Sequence, residues 1–99
     1  MSVTAFHFWS PTCAPCKAIK PALEDLKEEF SEVVWLSVNT HDDSELLAGR
    51  YNVSIVPTIV VEVKNKEGIS VSIEKHSGIS IAGYYRIIRN GLRILTQQS

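Results

Sequence analysis

Two cysteines stand three residues apart in Cys13-Ala14-Pro15-Cys16, and they are the only two in the 99-residue sequence. A pair at this spacing can cycle between dithiol and disulfide, or it can supply part of a metal-ligand set. As a structural staple it is poorly placed, because closing so short a loop adds little stability. A zinc site needs about four ligands, and this pair gives two. His7, His41 and His76 are not at paired-ligand spacing. No metal is therefore expected within one chain; an iron–sulfur or zinc site shared between two chains is the surviving metal alternative.

The elements around the pair decide which chemistry applies. Residues 3–9 are β-branched and aromatic, with apolar side chains at nearly every position, as in a strand covered on both faces. Ser10-Pro11-Thr12 breaks that run. From Cys13 the spacing turns helical, with Ala18, Ile19, Ala22, Leu23, Leu26 and Phe30 on one side and Lys17, Lys20, Glu24, Lys27 and Glu28 on the other. Pro15 lies just inside the start, where its missing N–H costs nothing. Pro21 lies mid-helix and should kink the axis. The pair thus falls at a strand-to-helix junction with Cys13 at the N-cap. Free backbone N–H groups and the positive end of the helix dipole favour thiolate there, lowering the pKa from the free value of ~8.5. Lys17 adds positive charge. Cys16, one turn inward, is less exposed and near enough to resolve a mixed disulfide.

A second strand over residues 32–39 follows the helix without a hairpin turn, which predicts a parallel βαβ unit. Asp42-Asp43-Ser44-Glu45 resembles a capping box, with Asp42 as N-cap of a short helix through Leu46, Leu47 and Tyr51. Residues 58–63 form another strand, and Asn65-Lys66-Glu67-Gly68 a turn. Ile69, Val71 and Ile73 then alternate with Ser70, Ser72 and Glu74, as in the last strand of a hairpin with one wet face. After Ser77-Gly78 a final helix starts at Ser80. It carries Ile81, Tyr84, Tyr85, Ile88, Leu92 and Leu95 inward and Arg86, Arg89 and Arg93 outward, and Gln97-Gln98-Ser99 frays. The order is β-α-β-α-β-β-α in an α/β layer structure, a single domain over 1–99.

Composition excludes several classes. A hydrophobic fraction of 44% with a net charge of −1 belongs to a folded chain, not a disordered one. Ten basic against eleven acidic residues give no global attraction to nucleic acid or anionic lipid. No run approaches the ~18 apolar residues of a membrane span, and Met1-Ser2-Val3-Thr4 does not read as a signal peptide. A cytoplasmic protein is expected. The charged residues between Glu24 and Glu45 are acidic apart from Lys27, and nothing acidic follows Glu74; the arginines near the end of the last helix are read as suiting its dipole.

The stretch Phe8-Trp9-Ser10-Pro11-Thr12-Cys13-Ala14-Pro15-Cys16-Lys17 resembles the active-site segment of the thioredoxin family, down to Trp9 and the helix-kinking Pro21. Tyr51-Asn52-Val53-Ser54-Ile55-Val56-Pro57-Thr58 is similar to that family's second signature, and Ser77-Gly78 to the glycine before its last helix. The resemblance implies a thioredoxin-like fold, with a four-stranded mixed sheet and helices on both faces. It implies thiol–disulfide exchange without a cofactor, Cys13 attacking and Cys16 resolving. It also implies a cis Pro57 facing the cysteines. The Val56 backbone would then pair with an extended peptide, and Trp9, Ala14, Pro15 and Gly78 would complete the substrate surface. Disulfide-containing proteins are the implied substrates, and a thioredoxin-reductase-like flavoenzyme or glutathione the implied recycling partner.

The sequence departs from that pattern in three ways. The family has a further strand and helix ahead of the strand at Val3, so the fold here is expected at glutaredoxin size. The strand at Trp35 then becomes a sheet edge open to weak homodimer formation, and one sheet face needs bulky side chains or a second copy to cover it. The family's buried carboxylate and its lysine partner fall at His7 and Trp35, so neutral His7 is expected to take over as base for Cys16. Ala14 replaces a glycine, and Thr12 a tryptophan. Two alternatives are a glutathione-dependent, glutaredoxin-like reductase, although the tyrosine such proteins prefer between the cysteines is absent, and a non-catalytic binding module.

Overall fold

In a computed structural model, which describes residues 1–97, the chain forms β1 (Ser2–Trp9), α1 (Ala14–Glu29), β2 (Val34–Asn39), α2 (Leu47–Arg50), β3 (Thr58–Lys64), β4 (Ser70–Ser77) and α3 (Ile81–Gln97). The four strands make one mixed sheet in the order β2-β1-β3-β4. The β1–β2 pair is parallel, with α1 as its crossover, while β1–β3 and β3–β4 are antiparallel. The expected element order and the edge position of β2 are both present. Among the described residues no helix is long and apolar enough to cross a membrane.

Strand alternation divides the core in two. Val3 and Ala5 of β1 and Ile59, Val61 and Val63 of β3 face Ile19, Leu23 and Leu26 of α1 and Tyr84, Ile87 and Ile88 of α3. Phe6 and Phe8 point the opposite way, onto Val38, Val60 and the flank of α2. Pro21 lies within the continuous helix α1. On the α2 face, Tyr51 packs on Phe6 at 4.7 Å between ring centroids and donates its hydroxyl to the buried Glu62 carboxylate at 2.7 Å. Burial first, and then this hydrogen bond, push the Tyr51 pKa up to about 12. That face is only partly covered: the rings of Phe6, Phe8 and Tyr51 fill its centre, while Val34 and Leu36 of β2 stay exposed.

Four expectations are corrected. The N-cap of α2 is Leu46, not Asp42, and the first N–H groups of the helix, those of Leu47 and Ala48, donate to the Asp43 carboxylate, each at 2.9 Å. The helix itself is four residues long, and Leu46 ahead of it has a φ of 55°. In β4 the alternation faces the other way. Ser72, Glu74 and His76 are half-buried, while Val71 and Ile73 are exposed. The period-2 pattern separates two faces without saying which lies under α3. At that edge Gly83 brings α3 so close that an added Cβ would fall on the His76 ring. The inner face of α3 also includes Gly83, Ile87 and Gly91. No basic residue occupies its last turn, so Arg86, Arg89 and Arg93 do not serve the dipole; Arg89 lies 5.6 Å from the Tyr85 ring centroid and Arg93 donates to Asn90. Gln97 is still helical, and the rest of the expected fray lies outside the described residues.

Candidate active site

The sheet register gathers the site at one end. Phe8 pairs with Thr58 and Thr58 with Ser77, so the ends of β1 and β4 and the start of β3 lie side by side. Their extensions are the Cys13 loop, Pro57 and Gly78. After Trp9 the chain turns through Ser10, whose carbonyl accepts the Cys13 N–H at 3.2 Å, and α1 begins. Cys13 is its N-cap in extended conformation, with Ala14 and Pro15 in the first turn.

The two cysteines form a disulfide with Cα atoms 5.2 Å apart. Both are nearly buried, Cys13 at 9% exposure and Cys16 at 5%. Cys13 Sγ accepts the Cys16 backbone N–H at 3.1 Å. A sulfur so placed gains both a donor and the positive end of a 16-residue helix, and both favour the anion once the bond is reduced. The expected N-cap geometry is therefore present, and the pair is a redox-active CxxC.

The Val56–Pro57 bond is cis. Pro57 is buried and Val56 half-buried. Neither the N–H nor the C=O of Val56 has a partner within the described residues. The loop is held from behind. The Pro57 carbonyl accepts the Gly78 N–H at 2.9 Å, and Gly78 has a φ of +106°, which disfavours a side chain. Thr58 Oγ1 donates to the Ile55 carbonyl at 2.7 Å or shares its proton with Ser77 Oγ at the same distance. Tyr84, wholly buried, donates its hydroxyl to the Gly78 carbonyl at 2.8 Å. Thr58 and Tyr84 thus position the loop, and the sequence reading saw only strand and core residues there. A β-branched hydroxyl directly after the proline was the available signal for Thr58; for Tyr84 there was none. Tyr84→Phe should lower stability in urea unfolding by about 1 to 1.5 kcal/mol, since it removes the donor to the half-buried Gly78 carbonyl; a loss below about 0.5 kcal/mol would show that the carbonyl is satisfied otherwise.

On the other side of the pair, between α1 and the edge of the sheet, lies a cavity of about 230 Å³. His7, Trp9, Cys16 and Ser37 line it, together with Lys17, Lys20 and Lys27. Trp9 lines this cavity too, and its indole N–H donates to Ser37 Oγ at 2.7 Å. In the parallel register His7 lies opposite Ser37, while Trp35 lies opposite Ala5 and donates its indole N–H to the Phe30 carbonyl at 3.1 Å. His7 is 8% exposed and its Nε2 has no hydrogen-bond partner. Burial first, and then the Lys27 charge, pull its pKa down to about 4, with Glu24 opposing. The ring is neutral at pH 7. Among the described residues no three His, Cys, Asp or Glu side chains converge as a metal-ligand set.

Comparison with known proteins adds a family to this geometry. The sequence profile of the thioredoxin family matches residues 2–81. Thioredoxin from Bacillus subtilis (strain 168) is 36% identical over 71 residues, spanning 72% of this chain and 67% of that protein. Other curated thioredoxins are matched over less of their length, 34% for the chloroplastic M-type of Brassica napus and 61% for the Haemophilus influenzae protein. Among solved structures, Fasciola hepatica thioredoxin superposes with a TM-score of 0.75 at 28% identity, covering 91% of this chain and 81% of that one. A structure of a ferredoxin:thioredoxin reductase and thioredoxin f2 complex shares the fold, with a TM-score of 0.73 at 21% identity, covering 90% and 76%.

Proposed function

The chain belongs to the thioredoxin family, and from this premise we propose that it is a thiol–disulfide oxidoreductase that reduces protein disulfides. The observation carrying the reading is the hydrogen bond from the Cys16 N–H to Cys13 Sγ at the N-cap of α1. It supports Cys13 as the nucleophile. The Cys13 thiolate attacks one sulfur of a target disulfide, and the target bond's electron pair leaves on its other sulfur. Cys16 then gives up its proton, attacks Cys13 Sγ and expels the target as a thiolate. Two electrons have passed to the target, and the Cys13–Cys16 disulfide is back.

The unpartnered N–H and C=O of Val56 suit an extended substrate backbone laid beside Cys13. Pro57 and Gly78 border that peptide on one side, and Ala14 and Pro15 on the other. Trp9, at the end of β1, completes that surface. His7 and Cys16 both line the cavity, which supports His7 as the base that takes the Cys16 proton. Its low pKa describes a ring with no anion opposite; a Cys16 thiolate would stabilise the imidazolium and raise that value. The reduced form is regenerated by a reductase or a small thiol in a reducing, cytoplasmic setting. A weak homodimer through the β2 edge is supported by the exposure of Val34 and Leu36.

Two measurements test the reading. Iodoacetamide alkylation of the reduced protein should give a pKa for Cys13 at least one unit below the free thiol value of ~8.5, and the protein should accelerate insulin reduction by dithiothreitol. An ordinary thiol at Cys13, or no acceleration, would overturn it. For the relay, His7→Phe should slow the resolving step about tenfold or more at pH 7, and His7→Asp should restore most of it with a shifted pH profile. Unchanged pH profiles in both variants would remove His7 from the mechanism.

A further inference from the structure

The outer surfaces of α1 and α3 carry charges of opposite sign side by side. On α3, Arg86, Arg89 and Arg93 are exposed and line one cleft with Asn90. Their spacing of three and four residues keeps them on one face of the helix, away from the buried Tyr84, Ile87 and Ile88. On α1, Asp25 and Glu28 are exposed on the face away from Leu23 and Leu26, and Glu32 is exposed just past the helix end. These acids follow the same spacing. Tyr85 marks the boundary between the two stripes. Its hydroxyl donates to Glu29 Oε2 at 2.7 Å, and Arg89 lies 5.6 Å from its ring centroid. Neither stripe is paired within the chain, because the one ion pair among the described residues joins Lys27 to Glu24.

We propose that a second copy of this chain docks here, the arginine stripe of each copy on the acidic stripe of the other. A two-fold contact lays a surface onto itself, so it is favourable only where each charge finds its opposite across the axis. Adjoining stripes of opposite sign and equal spacing meet that condition, and they place the axis near Tyr85. Other occupants fit less well. An acidic partner or a polyanion would meet the arginines and also the carboxylates beside them, where like-charge contact is unfavourable. Two copies with a net charge of −1 each scarcely repel as wholes. Arginine suits the contact, since its guanidinium can hold a carboxylate through two parallel N–H donors. Exposed pairs contribute little each, so the dimer is weak, with a Kd on the order of 10⁻⁴ M at low salt. Asp25 is twelve residues beyond Cys13, about 18 Å along α1, so the contact leaves the cysteine pair open. It uses the helical layer and not the β2 edge, and it does not depend on the chemistry at Cys13.

Sedimentation velocity in dithiothreitol, which removes disulfides between chains, measures the association. The wild type should dimerise at ~20 mM salt, and its Kd should rise at least about tenfold at ~0.3 M. Arg86→Glu/Arg89→Glu/Arg93→Glu makes both stripes acidic and should be monomeric. Asp25→Arg/Glu28→Arg/Glu32→Arg makes both basic and should be monomeric too. Mixed in equal amounts, the two reversed proteins should associate, because opposite charges then face each other in both halves of the contact. That rescue separates a broken interface from a damaged fold, and circular dichroism checks each variant alone. The milder Arg86→Gln/Arg93→Gln should weaken the wild-type dimer about fivefold or more. Leu36→Lys, on β2, should leave the association unchanged. A wild type still monomeric at about 1 mM protein and low salt would overturn the proposal. So would a dimer that survives the reversals or the glutamine changes, or reversed proteins that ignore each other when mixed. Loss of the dimer in Leu36→Lys would overturn it as well, by moving the contact to the sheet edge.

Discussion

Cys13→Ser should bring insulin-disulfide reduction down to the background rate of dithiothreitol, a loss on the order of 10³-fold or more, because the remaining thiol, Cys16, is buried and lies away from the helix N-cap. Cys16→Ser should behave differently. It keeps the sulfur at the helix N-terminus, so it should still attack, but it has lost the group that resolves the product. A stoichiometric covalent complex with the target should therefore build up on a non-reducing gel and disappear with excess dithiothreitol. The contrast separates attack from resolution, which a single loss of activity does not. More than about a tenth of wild-type activity in Cys13→Ser, with circular dichroism unchanged, would move the nucleophile elsewhere. Failure of Cys16→Ser to trap a target would end the assignment of Cys16 as the resolving thiol.

The second large effect is on stability against acid, and it comes from His7. Its folded pKa of about 4 lies below the usual 6.5. The unfolded chain therefore binds a proton across that interval which the folded protein refuses. His7 costs nothing above pH 6.5 and progressively destabilises the fold as pH falls towards 4, below which its contribution is constant. Between pH 7 and pH 4.5 the loss should be about 2 to 3 kcal/mol, at 1.36 kcal/mol per unit. Urea titrations of the wild type and His7→Phe at both pH values isolate it, since the carboxylates and the other histidines are common to the two proteins. Parallel pH dependences would mean that the ring is charged or hydrated in the folded state.

The parts of this molecule that could be read from the chain are those encoded by neighbours in sequence. The change from a β-branched run to helical spacing at Cys13 fixed both the strand-to-helix junction and the N-cap, because a cap is a matter of one turn of backbone. The crossover between β1 and β2 likewise followed from a helix standing where a hairpin turn would be. The cis bond at Pro57 was available only through family resemblance. What escaped was decided by distant packing. Asp42 and Asp43 are equivalent on paper as acceptors for the first N–H groups of α2, and the left-handed turn at Leu46 selects the second. The alternation in β4 gave two faces but not which one α3 would cover. The family resemblance marked His7 and Trp35 as two related positions, and only the sheet register shows that His7 lies opposite Ser37 and Trp35 opposite Ala5. The cavity was invisible for the same reason: its walls come from α1 and both strands of the β1–β2 pair.

The central position of β1 has a consequence during translation. Its partners are β2, about thirty residues later, and β3, whose Lys64 pairs with Ser2. The cysteine pair therefore leaves the ribosome before the segments that enclose it have been made. A nascent chain halted short of residue 64 should present two ordinary thiols, open to any oxidant, and only completion of the third strand confers the reactivity of the mature pair.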